Sequence, residues 1–297
     1  MAHYSRFWRP VVIPSAFQYE RATSIEDALA KLKVSAGAGK LIAGGHSLVP
    51  LMKLRLSEPT VLIDIARIPD LTNIVDIDGV IEVGALATHH DVATSSLILE
   101  KCPALAKAAG LIGDSQVRNR GTLGGSLAHA DPAADYPAMM LVLEADIHLT
   151  GQNGTRVVPA TEFFQGVLTV DLAPDEILTK VTFVPNRIAA YAKLHQRASR
   201  FALVGVAAAL DITDGEIRAA RVAVTGAAST PQRLSRVEEA LAGQAASVES
   251  FASVALSAAD GVEDINDDLH GSEEYRRAMI RVFTERALVE AAARKSA

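Results

Sequence analysis

Val117-Arg118-Asn119-Arg120-Gly121-Thr122-Leu123-Gly124-Gly125-Ser126 is the stretch on which the reading of this chain turns, and a second glycine pair, Ala43-Gly44-Gly45-His46-Ser47, stands well upstream of it. Leu41-Ile42 reads as the end of a short apolar strand, and Leu48-Val49 leads away from the upstream loop. Glycine permits positive φ and lets a backbone approach a ligand with no Cβ in the way. Successive N–H groups in such a turn form a concave nest that favours anions such as a pyrophosphate. Taken alone, either loop is a tight turn between two elements. Two such loops can clamp one long ligand from both sides.

The downstream loop runs on through Leu127-Ala128-His129-Ala130-Asp131-Pro132-Ala133-Ala134-Asp135 before a helix begins. Asp135 has two readings there. It is either an N-cap, where Asp is preferred, or a carboxylate that accepts hydrogen bonds from ribityl or ribose hydroxyls. His129 has no Ser/His/Asp or Cys/His grouping around it and reads as a polar contact within the loop. No Gly-x-Ser-x-Gly elbow is present. There is no Gly-x-x-x-x-Gly-Lys-Ser/Thr phosphate loop and no strand–Gly-x-Gly-x-x-Gly–helix unit. A nucleotide on this chain is therefore not held in the Rossmann manner, and no catalytic residue is assigned.

The 297 residues suit two or three compact units. Hydrophobic residues make up 49% and charged residues 22%, a normal globular profile. A net charge of −6 and only 5% aromatic residues argue against a nucleic-acid surface. Cys102 is the single cysteine, which excludes an internal disulfide and any iron–sulfur or thiolate zinc site built by this chain alone. The adjacent His89 and His90 point about 100° apart on a helix and read as a helix N-terminus, so no metal site is assigned. Met1 to Pro14 lacks an apolar core of the secretory type. The apolar run Phe201 to Leu210 is far short of the roughly 20 residues that span a membrane. A cytoplasmic protein is expected.

Ser24 and Asp27 open a helix with Ile25, Ala28, Leu29 and Leu32 on one stripe. Strands are predicted at 40–43 and 60–65, then a hairpin of 71–77 and 80–84 about Asp78-Gly79. Helices follow from Thr88, over 105–112 and from Tyr136 to Glu144. Strands at 146–150, 155–158 and 176–184 precede a second grammar: strands near 191–196, 202–211 and 217–226, then Ala-rich helices near 234–242, 247–258 and 272–293. Tyr191-Ala192-Lys193 opens this last unit, and a lysine at a strand start is ordinarily solvated. Near a flavin, its charge would stabilise electron density gained by the ring carbonyls.

Together these residues resemble the FAD-binding medium subunit of molybdenum hydroxylases, the xanthine dehydrogenase and aerobic carbon monoxide dehydrogenase family, over nearly the whole chain. The resemblance rests on Ala-Gly-Gly-His-Ser at 43–47, Met-Lys-Leu-Arg-Leu at 52–56, Leu-Ile-Asp-Ile at 62–65 and Gly-Ala-Leu-Ala-Thr at 84–88. It continues through the stretch 117–126 and Ala-Asp-Pro-Ala-Ala-Asp at 130–135. It implies an α+β chain: a two-subdomain FAD-binding domain of the PCMH type (1–62 and 63–187), then a C-terminal domain of a small antiparallel sheet and helices (188–297). By resemblance, Ile42, Ala43, Gly44, Gly45, His46, Ser47 and Leu48, with Thr122, Leu123, Gly124, Gly125 and Ser126, hold the pyrophosphate through backbone N–H groups. Asp135 matches a ribityl- or flavin-side carboxylate, Ile112 and Leu178 apolar cofactor neighbours, Lys193 a flavin-side lysine, and Tyr191 a residue covering the ring.

The family's assembly oxidises substrate at a molybdenum cofactor on a large subunit. Electrons pass through [2Fe–2S] clusters on a small subunit into FAD on the medium subunit and on to an external acceptor. The expected partners are those two subunits, in a dimer of heterotrimers. The string 44–56 is most similar to the carbon monoxide dehydrogenase branch, with N-heterocycle and aldehyde hydroxylases as alternatives. A self-sufficient flavoprotein oxidase sharing the cofactor fold is a further alternative, and it would need a substrate domain that the residues after Tyr191 are too few to supply. In either flavin reading, valine at Gly45 or Gly124 is expected to abolish FAD retention by filling the phosphate approach.

Overall fold

The computed structural model describes residues 13–294. The expectation for Met1 to Pro14 lies outside the described residues except for the last two. Among the described residues no helix is long and apolar enough to cross a membrane.

The first unit is a three-stranded parallel sheet in the order β1-β3-β2, with β1 at Gln18–Arg21, β2 at Gly39–Ile42 and β3 at Val61–Asp64. Helix α1 (Ile25–Val34) closes it. Ser24 Oγ accepts the Asp27 N–H, as the sequence suggests, while the Asp27 carboxylate accepts from Thr23 N–H instead of returning to Ser24. Ala28, Leu29 and Leu32 pack on Ile63 and Ile65. A short helix, α2 (Leu48–Lys53), follows the first glycine loop, where the sequence gives only a departing chain.

The second unit is an antiparallel sheet in the order β4-β5-β10-β6-β7, formed by β4 (Ile74–Ile77), β5 (Val80–Gly84), β6 (Asp146–Gly151), β7 (Gly154–Pro159) and β10 (Ile177–Phe183). A small hairpin, β8 (Phe164–Gly166) and β9 (Thr169–Val170), projects from it. Arg156 anchors the return of that hairpin with paired bonds to Asp171 and Glu176 at 2.7–3.1 Å. Between β5 and β6 run α3 (His89–Thr94), α4 (Ser96–Lys101), α5 (Pro103–Gly110), α6 (Ser115–Arg118), α7 (Leu123–His129) and α8 (Tyr136–Val142), and α9 (Ala160–Phe163) follows β7. Leu105, Leu123, Leu127, Met139 and Met140 from these helices meet Ile81, Val83, Ile147 and Val181 from the sheet in one core.

The third unit is the sheet β11-β12-β13-β14 (Ala189–His195, Ala202–Thr213, Glu216–Thr225 and Gln232–Arg233), with α10 (Ser235–Leu241), α11 (Val248–Ala255) and α12 (Glu273–Ala293). Its central strand β12 is buried on both faces, which explains the apolar run in the sequence. Ala207, Ala209 and Ala223 face the core of the second unit, while Val206, Ala208 and Leu210 face the C-terminal helices. The alanines leave room for α8 and α12 to lie close on either side.

The segment predicted as a second glycine loop is in fact helical. Gly124 and Gly125 occupy the first turn of α7, whose N-cap is Thr122, with Oγ1 accepting the Gly125 N–H at 3.1 Å. Ala130, in the left-handed region at φ 47°, ends the helix.

Candidate functional site

A cleft of about 820 Å³ lies where the three units meet. Its walls come from the first glycine loop, from 121–126 and the start of α3, from the β8–β9 hairpin and from the 199–201 loop. This volume falls in the range of about 300–1,000 Å³ that holds cofactor-sized ligands.

The two glycine segments touch at the floor of the cleft. A Cβ on Gly44 would stand 2.0 Å from the carbonyl oxygen of Arg120 and 2.8 Å from Gly121 Cα, so glycine at 44 is what lets the first unit close on the second. Gly45 lies at φ +74°, and a side chain there would crowd Val49 and Ile42. After these glycines the chain turns into α2, and the N–H groups of Gly44, Gly45, His46, Ser47 and Leu48 have no hydrogen-bond partner among the described residues. Five successive free donors on a cleft wall make an anion nest.

The second segment differs from the expectation that its N–H groups face a phosphate. The Leu123 N–H donates to Ala87 O, Gly124 to Ala85 O, Gly125 to Thr122 Oγ1 and Ser126 to Thr122 O, at 2.9–3.1 Å. A Cβ on Gly124 would meet Ala85 Cβ at 2.5 Å, so its lack of a side chain serves docking on the 85–89 segment and not a ligand. Leu123 points into the core and does not line the cleft. Thr122, Gly124, Gly125 and Ser126 do line it, as do Ile42, Ala43, Gly44, Gly45, His46, Ser47, Leu48, Ile112, Asp135 and Leu178.

Asp135 lies at the start of α8, yet it makes no side-chain cap, which removes the capping reading. Its carboxylate, 4% exposed, accepts from Tyr191 Oη at 2.7 Å and from Lys193 Nζ at 2.8 Å. Burial pushes the Asp135 carboxyl up from the usual range, and the lysine and phenol hold it back. Two expectations are corrected here. Tyr191 is fully buried over Gly205, where any Cβ would sit 2.2 Å from its hydroxyl, so it covers no ring. The Lys193 side chain is 2% exposed, is not part of the cleft wall, and gives its charge to Asp135. Both residues sit on β11 and reach across the unit boundary, which spacing along the chain does not reveal.

Sequence reasoning treats His89 only as part of a helix start. The capping box of Thr88 and Asp91 is present, and His89 nonetheless lines the cleft at 5% exposure. Its Nδ1 lies 3.1 Å from Tyr136 Oη, and burial with nearby His46 and Arg118 lowers its pKa to about 4, so the ring is neutral. Phe201, Arg200 and Leu168 at the rim also lie outside any sequence signal. Cys102 is buried with its thiol pushed up to about 11, an inert structural cysteine. No group of three or more metal-ligating side chains occurs among the described residues.

Residues 15–187 match the FAD binding domain in molybdopterin dehydrogenase, and residues 189–291 match the CO dehydrogenase flavoprotein C-terminal domain. The chain is 37% identical to the carbon monoxide dehydrogenase medium chain of Hydrogenophaga pseudoflava, covering 95% of this chain and 99% of that one. It is 36% identical to the nicotine 6-hydroxylase medium subunit of Paenarthrobacter nicotinovorans, over 94% and 98%. Among solved structures, carbon monoxide dehydrogenase from Hydrogenophaga pseudoflava, in a form lacking the Mo-pyranopterin moiety of the molybdenum cofactor, superposes with a TM-score of 0.90 at 38% identity, covering 95% and 99%. Quinoline 2-oxidoreductase from Pseudomonas putida 86 superposes equally well, with a TM-score of 0.90 at 33% identity, over 95% and 98%.

Proposed function

Because the chain belongs to the family of FAD-binding subunits of molybdopterin dehydrogenases, we propose that it is the flavoprotein medium subunit of a molybdenum hydroxylase, an oxidoreductase component similar to that of carbon monoxide dehydrogenase. It would receive electrons from [2Fe–2S] clusters on a small subunit and pass them to an external acceptor, while substrate is oxidised at the molybdenum cofactor of a large subunit. The observation that carries this is the run of five unpartnered amides, Gly44–Leu48, on a cleft of cofactor size within a chain aligned end to end with medium subunits.

The residues present fit FAD. The amides of 44–48 would hold the diphosphate, with the Ser126 hydroxyl as a further donor from the opposite wall. The Asp135 carboxylate would accept from ribityl hydroxyls, kept in place by Lys193 and Tyr191. Ile112 and Leu178 would exclude water beside the ring. When bound, FAD accepts electrons singly and releases them singly or in pairs, and the protein's part is to bind it, orient it and set its surroundings. No base or nucleophile of this chain is needed.

The three sheets support a PCMH-type pair of FAD-binding subdomains followed by a C-terminal domain. The first boundary is better placed after β3, which spans Val61–Asp64, than at 62. A dimer of heterotrimers in the cytoplasm completes the reading. Nearly equal identity to carbon monoxide and nicotine enzymes supports the reading that substrate choice lies with the large subunit. The test is purification of the chain from its native source. Flavin absorption bands and co-purifying molybdenum and iron–sulfur subunits are expected. A colourless chain that fails to take up added FAD sinks the reading, and a flavin-loaded chain without such partners favours a self-sufficient oxidase.

A further inference from the structure

His89 is a buried titratable group to which the cofactor reading above gives no task. Its ring lies on the cleft wall with Nδ1 turned inward to Tyr136 and Nε2 turned to Gly121. A Cβ on Gly121 would stand 2.6 Å from Nε2, and Gly121 Cα is itself the atom that a Cβ on Gly44 would meet at 2.8 Å. Nε2 therefore sits beside the junction of the two glycine segments, next to the free amides. The Tyr136 hydroxyl is fully buried, and burial lifts its pKa well above the usual value, so it remains an O–H. Nδ1 of His89 is its one hydrogen-bond partner among the described residues. A buried O–H without an acceptor is costly, so the phenol donates, Nδ1 accepts, and the ring proton resides on Nε2. That N–H has no partner among the described residues, although the side chain around it is almost wholly buried.

We infer that the Nε2–H of His89 is a side-chain donor to the diphosphate of the bound FAD, with Tyr136 as the positioning residue that fixes its tautomer. It supplies a directed donor from the second unit, whose Leu123–Ser126 amides are engaged at home, opposite the main-chain nest of the first. A neutral donor suits this place: it binds the anion without adding charge beside Arg118. This assignment rests on the FAD reading.

The test uses the full chain, stripped of flavin and titrated with FAD and, separately, with riboflavin, which lacks the diphosphate. His89→Phe combined with Tyr136→Phe keeps the ring volumes and leaves no orphan hydroxyl. It is expected to weaken FAD binding about tenfold to a hundredfold, the size of one hydrogen bond to a charged acceptor. Riboflavin binding should be unchanged. His89→Gln, which presents an N–H at similar reach, should recover most of the FAD affinity. Unchanged FAD affinity in the double variant, an equal loss for riboflavin, or no recovery with glutamine overturns the assignment. If the double variant does not fold, ¹⁵N-histidine spectra of the wild-type chain decide. An Nε2–H tautomer whose Nε2 shifts on adding FAD supports the donor, and an Nδ1–H tautomer or an unresponsive ring overturns it. A wild-type chain that binds no FAD overturns the flavin reading itself, which unchanged affinity in the variant leaves standing.

Discussion

The two glycine pairs reach the same cleft by opposite routes. Gly44-Gly45 turns the chain so that its amides stay unpartnered, whereas Gly124-Gly125 lies in a capped helical turn whose amides all bond within the protein. Glycine is needed in both, but for contact between protein segments: Gly44 against Arg120 and Gly124 against Ala85. One wall is thus a rigid seat, complete before any ligand arrives. The other is a run of five donors with no partner among the described residues. Similar motifs need not do similar work, and what separates them is where the N–H groups go.

Damage to the rigid wall, or to the buried Lys193–Asp135 pair behind it, should cost stability whether or not flavin is bound. The largest effect is expected from Lys193→Met, which leaves the Asp135 carboxylate buried without its counter-charge. Breaking a buried pair this way costs about 3–5 kcal/mol, read as a lowered denaturant midpoint of the apo chain. Asp135 then carries a folded-state pKa raised further above its unfolded value, so the native state holds the extra proton between the two. The deficit should accordingly shrink as pH falls through the folded pKa and be fully felt above it. A deficit that does not change with pH breaks the assignment of the loss to this carboxylate.

Next in size is Gly124→Val, which forces a branched side chain onto the Ala85 backbone at about 1–3 kcal/mol or more. Its thermal midpoint should fall equally with and without FAD, unlike that of a variant acting only on the ligand. A smaller loss of about 1 kcal/mol is expected for Thr122→Ala, which removes the N-cap of α7. The open wall is probed most gently by hydrogen exchange on the unaltered chain. Amides of Gly44–Leu48 should exchange fast without FAD and slow on its addition, while those of Leu123–Ser126 should be protected in both. Equal behaviour of the two sets would erase the contrast.

Much of this architecture is legible from local signals. The hairpins at Asp78-Gly79 and Asp214-Gly215 are written in residues that tolerate positive φ, and both turns appear with those φ signs. Helix α1 is legible from its stripe and cap. What escapes is what distant partners decide. Two adjacent glycines argue against a helix, yet α7 forms because the 85–89 segment takes up the N–H groups of its first two residues, Leu123 and Gly124. Tyr191 looks like a ring-covering residue until Gly205, across the sheet on β12, leaves the hollow that swallows it. His89 reads as part of a helix start because nothing near it in sequence announces Tyr136. Membership of an FAD-binding family is thus readable from motifs, and the hydrogen-bond pattern along the cleft is not.

The pair of Asp135 and Lys193 joins α8 of the second unit to β11 of the third. One wall of the cleft therefore owes its charge balance to a residue beyond position 187, outside the segment that matches the FAD binding domain. A hybrid that grafted a foreign C-terminal unit onto residues 15–187 would inherit the carboxylate but not its cation, unless the donor carried a lysine in the same register. For anyone recombining these subunits, the cofactor module does not end where its sheet ends.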